Sequence, residues 1–469
     1  MTCQNIHPND KVPGTIASQF AVILEPLWED AGDQMMMKSS LLESVAVILL
    51  NSECMIEKYN NENEALSLSS EGIQTGVSKM LFSIFTNEEN EPLVDDAMKL
   101  WLDFMKHVDT VSGDLGQIQS HVLPNILSTS SEKVQLALEI LKDYVMIDCK
   151  YINNCIGPMM TLYQEDASDP VLPQLSCEVF EVFALFIQKM NQQTENTGNL
   201  ENEKLDPQSR TVVLQIMSKA MEYFPGNNCL RDFSIECYSP KCVRSAYTLF
   251  ARAIMFDPSL FSDVLSRLPE LNSRLSEKYF GPTSTLNSND SDFNSLILTA
   301  DMISSFIKQW IANFDAICDH KIRKLNAICI TKLWEHLGKP EELIGAVFCN
   351  MLEILHDLKI NHEVDFNSME SGSKNNVPAA SDYLYDEFVK KEQRFENGFG
   401  NDKNSNNKVQ PKSSQMKRQM ALDQGDCVYV VNFVQHVRSV CSDLQATAKK
   451  PVDSLVDSSV LDQFNNLKL

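Results

Sequence analysis

The strongest constraint in this chain is an apolar pattern of helical period that is interrupted every few turns by polar residues. Within Met35–Leu50, Leu41, Leu42, Val45, Ile48 and Leu49 follow i, i+3, i+4 spacing, which puts them on one face of a helix. Gly72–Phe85 repeats the pattern with Ile73, Val77, Met80, Leu81 and Ile84. Pro92 precedes Leu93–His107 at a position where a helix tolerates proline, and the stripe behind it is Leu93, Ala97, Leu100, Trp101 and Phe104. Leu115–Leu127 and Ser131–Lys150 follow. Ser131 is a candidate N-cap, and Val134, Leu138, Leu141 and Val145 form the buried face behind it.

The same reading extends along the chain. Ile16–Trp28 is the first amphipathic segment, and Pro26 is expected to end or bend it. Cys155–Gln164 is short. Leu172–Met190 is apolar nearly all round, as expected of a helix covered on both sides. Arg210–Phe224, Ser239–Phe256, Pro258–Pro269, Phe293–Phe314, His320–Leu337 and Pro340–Leu358 complete the main series. Two polar, aperiodic stretches, 191–207 and 281–292, read as loops, the first of them disordered. Residues 361–416 are rich in Asn, Ser, Lys and Asp and read as a largely disordered insert. Residues 417–469 hold terminal helices, Val428–Leu444 and Pro451–Leu467, expected to pack on the rest, and residues 1–15 form an irregular start.

One apolar stripe per segment, with brief polar turns between neighbours, favours antiparallel helix hairpins. The pairs recur at roughly 35–50 residues, the period of HEAT or armadillo arrays. The expected fold is therefore all-α: a HEAT/armadillo-like α-solenoid of antiparallel helix pairs spanning 16–360. A single large helical bundle is the structural alternative. Gly (16) and Pro (18) are scarce for 469 residues, which disfavours a turn-rich β-protein.

Charge narrows the function. With 40 Lys+Arg against 64 Asp+Glu the net charge is −24, which repels phosphate backbones and makes nucleic acid an unsuitable partner. It suits partners with basic segments, or it serves solubility alone. The 13 cysteines include Cys177, Cys318, Cys329 and Cys349 inside apolar stretches, as expected of small buried hydrophobes in a reducing compartment. Cys229, Cys237 and Cys242 lie close together without a matching partner pair, so no metal site is expected. The N-terminus lacks the layout of a secretory signal, and no run of ~20 apolar residues is present to span a membrane.

No catalytic set is present: GxxxxGK[ST], HExxH, GxSxG and GxGxxG are all missing, so a non-enzymatic binding protein without a cofactor is expected. His320, His336 and His356 lack metal-ligand spacing and read as surface or helix-end residues. Lys321, Arg323 and Lys324 form a basic turn, read either as a partner contact or as a solvated helix start held by nearby acids. Trp101, Trp310 and Trp334 lie on helical stripes, where core packing is the default. Lys412–Arg418 faintly resembles a nuclear-localisation patch, a pattern common in polar inserts.

Four stretches resemble the importin-β karyopherins, and among them the importin-eleven type. They are Leu24-Glu-Pro-Leu-Trp28 with Lys38–Val45; Leu93–Phe104, with its acidic start and Leu-Trp-Leu core; Trp310–Ile330, a Trp helix followed by a basic turn; and Lys417–Asp426, a short basic-to-acidic stretch before the terminal helices. The order is shared over most of the chain, and the match is to the C-terminal half of such receptors. The resemblance implies a nuclear transport receptor that moves protein cargo with basic segments between cytoplasm and nucleus through the nuclear pore. It also implies that the chain is a truncated form without the N-terminal repeats that grip the Ran GTPase. Phe-Gly nucleoporins would dock in outer grooves, where the tryptophans could contribute, and Lys321, Arg323 and Lys324 would face cargo or Ran. The alternative function is a helical-repeat scaffold or regulatory subunit with no transport role.

Overall fold

The computed structural model describes residues 23–59, 65–129, 131–162, 172–197, 207–221, 240–271 and 320–340, with isolated positions at 205, 307–311, 343–354 and 415–440. Among the described residues there is no strand. The chain divides into two compact units, Met1–Lys189 with Val409–Ala421, and Met190–Lys408 with Leu422–Leu469.

Unit 1 begins with a helical segment at 23–30 (α1), followed by α2 (Met35–Tyr59), α3 (Ala65–Thr86), α4 (Val94–Met105), α5 (Gly113–Thr129), α6 (Ser131–Ile147), α7 (Ile156–Thr161) and most of α8 (Leu172–Thr197). Short 3-10 turns, Glu88–Leu93 and Cys149–Cys155, lead into α4 and α7. Pro92 lies in the first of these, where its missing N–H is not needed. α2 packs on α4 and α4 on α6, while α3 and α7 both pack on α5. Within hairpins, α3 meets α4 and α5 meets α6. Alternate helices therefore stack in two rows, the arrangement of a helical-repeat array in which each pair is covered by the next. Lys142 of α6 continues the first row to α8 through ion pairs of 2.5 Å to both Glu178 and Glu181.

The expected stripes are the core. Leu42, Val45, Val77, Leu81, Trp101, Phe104, Leu138 and Leu141 are all nearly inaccessible. Burial of that kind contributes roughly 1.5–3 kcal/mol for each large side chain. Trp101 and Tyr144 lock α4, α5 and α6 together. The Trp101 Nε1–H donates to Tyr144 Oη at 3.2 Å, and the Tyr144 hydroxyl donates to the Leu115 carbonyl at 3.0 Å. Their rings meet edge to face at 6.1 Å. At the start of the unit, Lys38 is buried because its ammonium donates to Asn90 Oδ1 at 3.0 Å and lies 5.1 Å from the Trp28 ring. Gly76 lets α1 approach α3: a Cβ there would stand 3.1 Å from Leu24 Cδ2.

Unit 2 contains the end of α8, α9 (Pro207–Ala220), α10 (Pro240–Phe256), α11 (Ser259–Leu271) and α12 (His320–His336). α9 packs on α10 and α11, and α10 packs on α11 and α12. Arg210 of α9 holds the α10–α11 corner: its guanidinium donates to Asp257 at 2.8 Å, to Ser259 Oγ at 3.0 Å and to Asp263 at 2.5 Å. α12 ends at Gly338 with φ +79°, the left-handed conformation glycine adopts freely, and the Lys339 N–H returns to the Trp334 carbonyl at 2.9 Å.

Three expectations change. Pro26 does not end α1, which continues to 30 with Leu24 and Trp28 buried on either side of it, so tertiary packing outweighs local propensity. Residues 191–197, expected to be loop, extend α8 as helix. Cys177 is buried but is not a free thiol: it is disulfide-bonded. The expected segments 1–15, 281–292, 361–414 and Pro451–Leu467 lie outside the described residues.

Tyr144→Phe removes the hydroxyl that joins Trp101 to Leu115 and leaves the buried Trp101 indole N–H without its acceptor. Unfolding by denaturant should show a loss of about 1–3 kcal/mol. An unchanged midpoint would mean that the aromatic packing alone locks these helices.

Candidate functional site

The basic residues singled out in the sequence lie in the first turns of α12. Lys321 has helical backbone, and its side chain lies outside the described set. Arg323 is half-buried and Lys324 is only 2% exposed. The group is therefore not a solvated turn: its third member is packed inside the unit. Beside it, the buried Asn326 takes a 2.9 Å hydrogen bond from Trp310 Nε1 on its Oδ1 and donates to the Ile322 carbonyl at 2.7 Å. Trp310 also lies 5.8 Å from the Tyr247 ring. Trp101, Trp310 and Trp334 are all almost fully buried, so all three are core residues.

A second constellation joins residues far apart in sequence. Asp143 of α6 is 1% exposed. Its carboxylate accepts a 2.8 Å hydrogen bond from Gln415 Nε2 and lies 3.7 Å from Arg418 Nη2. The Arg418 guanidinium also donates to the Met105 carbonyl at 3.0 Å and to the Val108 carbonyl, while the Gln415 N–H donates to the Lys106 carbonyl at 2.8 Å. These carbonyls are the acceptors at the C-terminal end of α4, which its own turns cannot fully satisfy and which carry the negative end of the helix dipole. Sequence reasoning placed Arg418 in two basic stretches but missed Asp143. The available signal was an acid two residues after Leu141 and directly before Tyr144 and Val145, close to the apolar stripe of α6.

Burial pushes the Asp143 carboxyl up to about 6, although Arg418, Gln415 and Lys106 each pull it down. In unit 2, burial, with Lys332 nearby, depresses the His436 imidazole to about 4. Among the described residues no group of His, Cys, Asp and Glu could hold a metal ion, and no helix is long and apolar enough to cross a membrane.

The charge on the described surface of unit 1 is one-sided. Lys79 pairs with Glu25, Lys99 with Asp96, Lys106 with Asp103, Lys133 with Asp95, and Lys150 with Asp148. Glu29, Asp30, Asp33, Glu43, Glu88, Glu89, Glu91 and Asp109 are exposed and form no ion pair among the described residues.

Two pH responses follow. An Asp whose folded pKa is raised binds its proton more tightly in the folded chain, so stability falls as pH rises from about 4 to about 6. Asp143→Asn should abolish that decline between pH 4 and 6, measured by chemical denaturation across the range. His436 has the opposite sign: its lowered pKa means that stability is lost as pH falls from about 6.5 toward 4, and His436→Leu should flatten that acid limb.

A family model described as "Importin-11-like, TPR repeats" matches residues 63–469. No curated protein matches the chain. The family description names the repeats as tetratricopeptide-type, whereas the sequence periodicity points to HEAT or armadillo arrays; both are stacked pairs of amphipathic helices. The match covers the helices from α3 onward and the segment that carries Gln415 and Arg418, and leaves α1 and α2 outside it. The chain belongs to the importin-11-like family, helical-repeat proteins of the nuclear transport receptor class.

Proposed function

We propose that this chain binds protein cargo bearing basic segments for passage between cytoplasm and nucleus, using the acidic surface of its helical repeats. The observation that carries the proposal is the charge imbalance of unit 1: its exposed lysines pair with acids of the same chain, while a series of acids stays unpaired. Such a surface draws in cationic chains over a Debye length and holds them through charge-assisted hydrogen bonds. Family membership supports the transport setting. It also makes Phe-Gly repeats of the nuclear pore and the GTP-bound Ran GTPase the partners to test. Lys321 and Arg323 are the basic groups of α12 to examine for an acidic partner, since Lys324 is buried.

The 3-10 turn ahead of α4 gives the test. Glu88, Glu89 and Glu91 project from it and are exposed. A Glu88→Lys, Glu89→Lys, Glu91→Lys chain should bind a basic cargo peptide at least about tenfold more weakly at low salt. The difference should shrink toward none at about 0.5 M salt. Fluorescence anisotropy measures both. Equal binding by the reversed chain, together with no capture of Ran-GTP or Phe-Gly peptides, would sink the reading and leave a scaffold without a transport role.

A further inference from the structure

Asp143 is a buried acid that neither neighbouring helix neutralises. Among the described residues its hydrogen-bonding and ion-pair partners are Gln415 and Arg418, which lie 272 and more residues downstream. Beside it, the end of α4 presents the carbonyls of Met105, Lys106 and Val108. A carboxylate and the carbonyls at and just beyond the end of α4 form a cluster of acceptors, which a planar guanidinium with its fork of donors fits better than an ammonium. Gln415 and Arg418 are both helical and three residues apart, so one side of a single turn delivers both. Arg418 Nε is buried without a hydrogen-bond acceptor, so its fork is not fully used.

We propose that unit 1 contains a guanidinium-binding socket, built from Asp143 and the terminal carbonyls of α4, in which the Gln415–Arg418 turn is a releasable ligand supplied in cis. In the sequence, Gln415 and Arg418 follow the long polar stretch that begins near 361. An arginine-bearing peptide with glutamine three residues before the arginine is the class of ligand that could replace it.

The groups that face Asp143 set the acid response. Lys106 from α4 and Arg418 favour its charge, and Glu139 of α6 opposes it. Asp109, beyond α4, supports Arg418, and Lys189 of α8 opposes it. The ionised carboxylate attracts Arg418 and accepts from Gln415 more strongly than the neutral acid, so the turn should loosen as pH falls through 6.

The experiment uses the full chain. Gln415→Ala with Arg418→Ala empties the socket, and a labelled peptide of residues 409–421 is titrated in by anisotropy. The emptied chain should bind this peptide at least about tenfold more tightly than the wild-type chain, whose socket is filled. A peptide carrying Arg418→Ala should bind at least about tenfold more weakly, and Arg418→Lys should fall between the two. Hydrogen exchange supplies a second readout in chains that keep their fold: in Asp143→Asn, amides of 409–421 should exchange at least about tenfold faster than in wild type while those of α6 do not. The inference is overturned if the Arg418→Ala peptide binds as well as the native one, if the emptied chain binds neither, or if Asp143→Asn leaves exchange across 409–421 unchanged.

Discussion

A helix with a single apolar stripe cannot remain alone in water, and α2 to α7 of unit 1 meet that constraint by lying against helices one or two places away in sequence. α2 covers α4 and α4 covers α6, while α5 is covered by α3 and α7. Nothing in the pattern asks for one central core. Each pair needs only the next pair, so the stability of unit 1 is local and additive to a first approximation. The Trp101–Tyr144–Leu115 relay shows how register is fixed on top of that. Greasy stripes would tolerate a slide by one turn, but a buried indole N–H and a buried phenol admit one arrangement in which both are satisfied.

Much of this was legible in the sequence. Stripe residues such as Val77, Leu100, Trp101 and Leu138 are buried because 3.6-residue periodicity reports directly on which face is covered. Helix ends were harder to read. Pro26 sits inside α1 and Pro124 inside α5, since a proline's local cost is outweighed when the residues around it are packed. The polar run after Met190 continues α8 because helix propagation needs only one further hydrogen bond per residue once a long helix exists. Cys177 was misread for a different reason: a buried half-cystine and a buried thiol look the same in an apolar stripe.

The candidate sites divide along the same line. Lys321, Arg323 and Lys324 were found because they are adjacent in sequence, yet adjacency on a helix sends residues in different directions, and Lys324 points into the packing. The Asp143–Gln415–Arg418 group escaped because its members meet only in three dimensions. Composition marks a basic stretch near 417 but gives no address for it, and the address is an acid on α6 that sequence alone reads as one more charge in an acidic protein.

These two electrostatic features are opposite uses of the same negative charge. At the surface, unpaired acids such as Glu88, Glu89 and Glu91 remain hydrated, so each contributes a weak, salt-screened attraction that suits many basic partners. Asp143 has lost its water, so its need for a donor is strong and specific, and one guanidinium with one amide satisfies it. A basic chain arriving at the acidic face meets little discrimination there. Discrimination requires a buried acceptor with fixed geometry, and the two buried acids described in unit 1 are already occupied by the chain's own cations, Asp143 by Arg418 and Glu178 by Lys142. Occupancy in cis keeps a buried charge from standing unpaired while leaving the hydrated acids open to other chains. The two can coexist in one acidic unit because desolvation, rather than charge count, separates them.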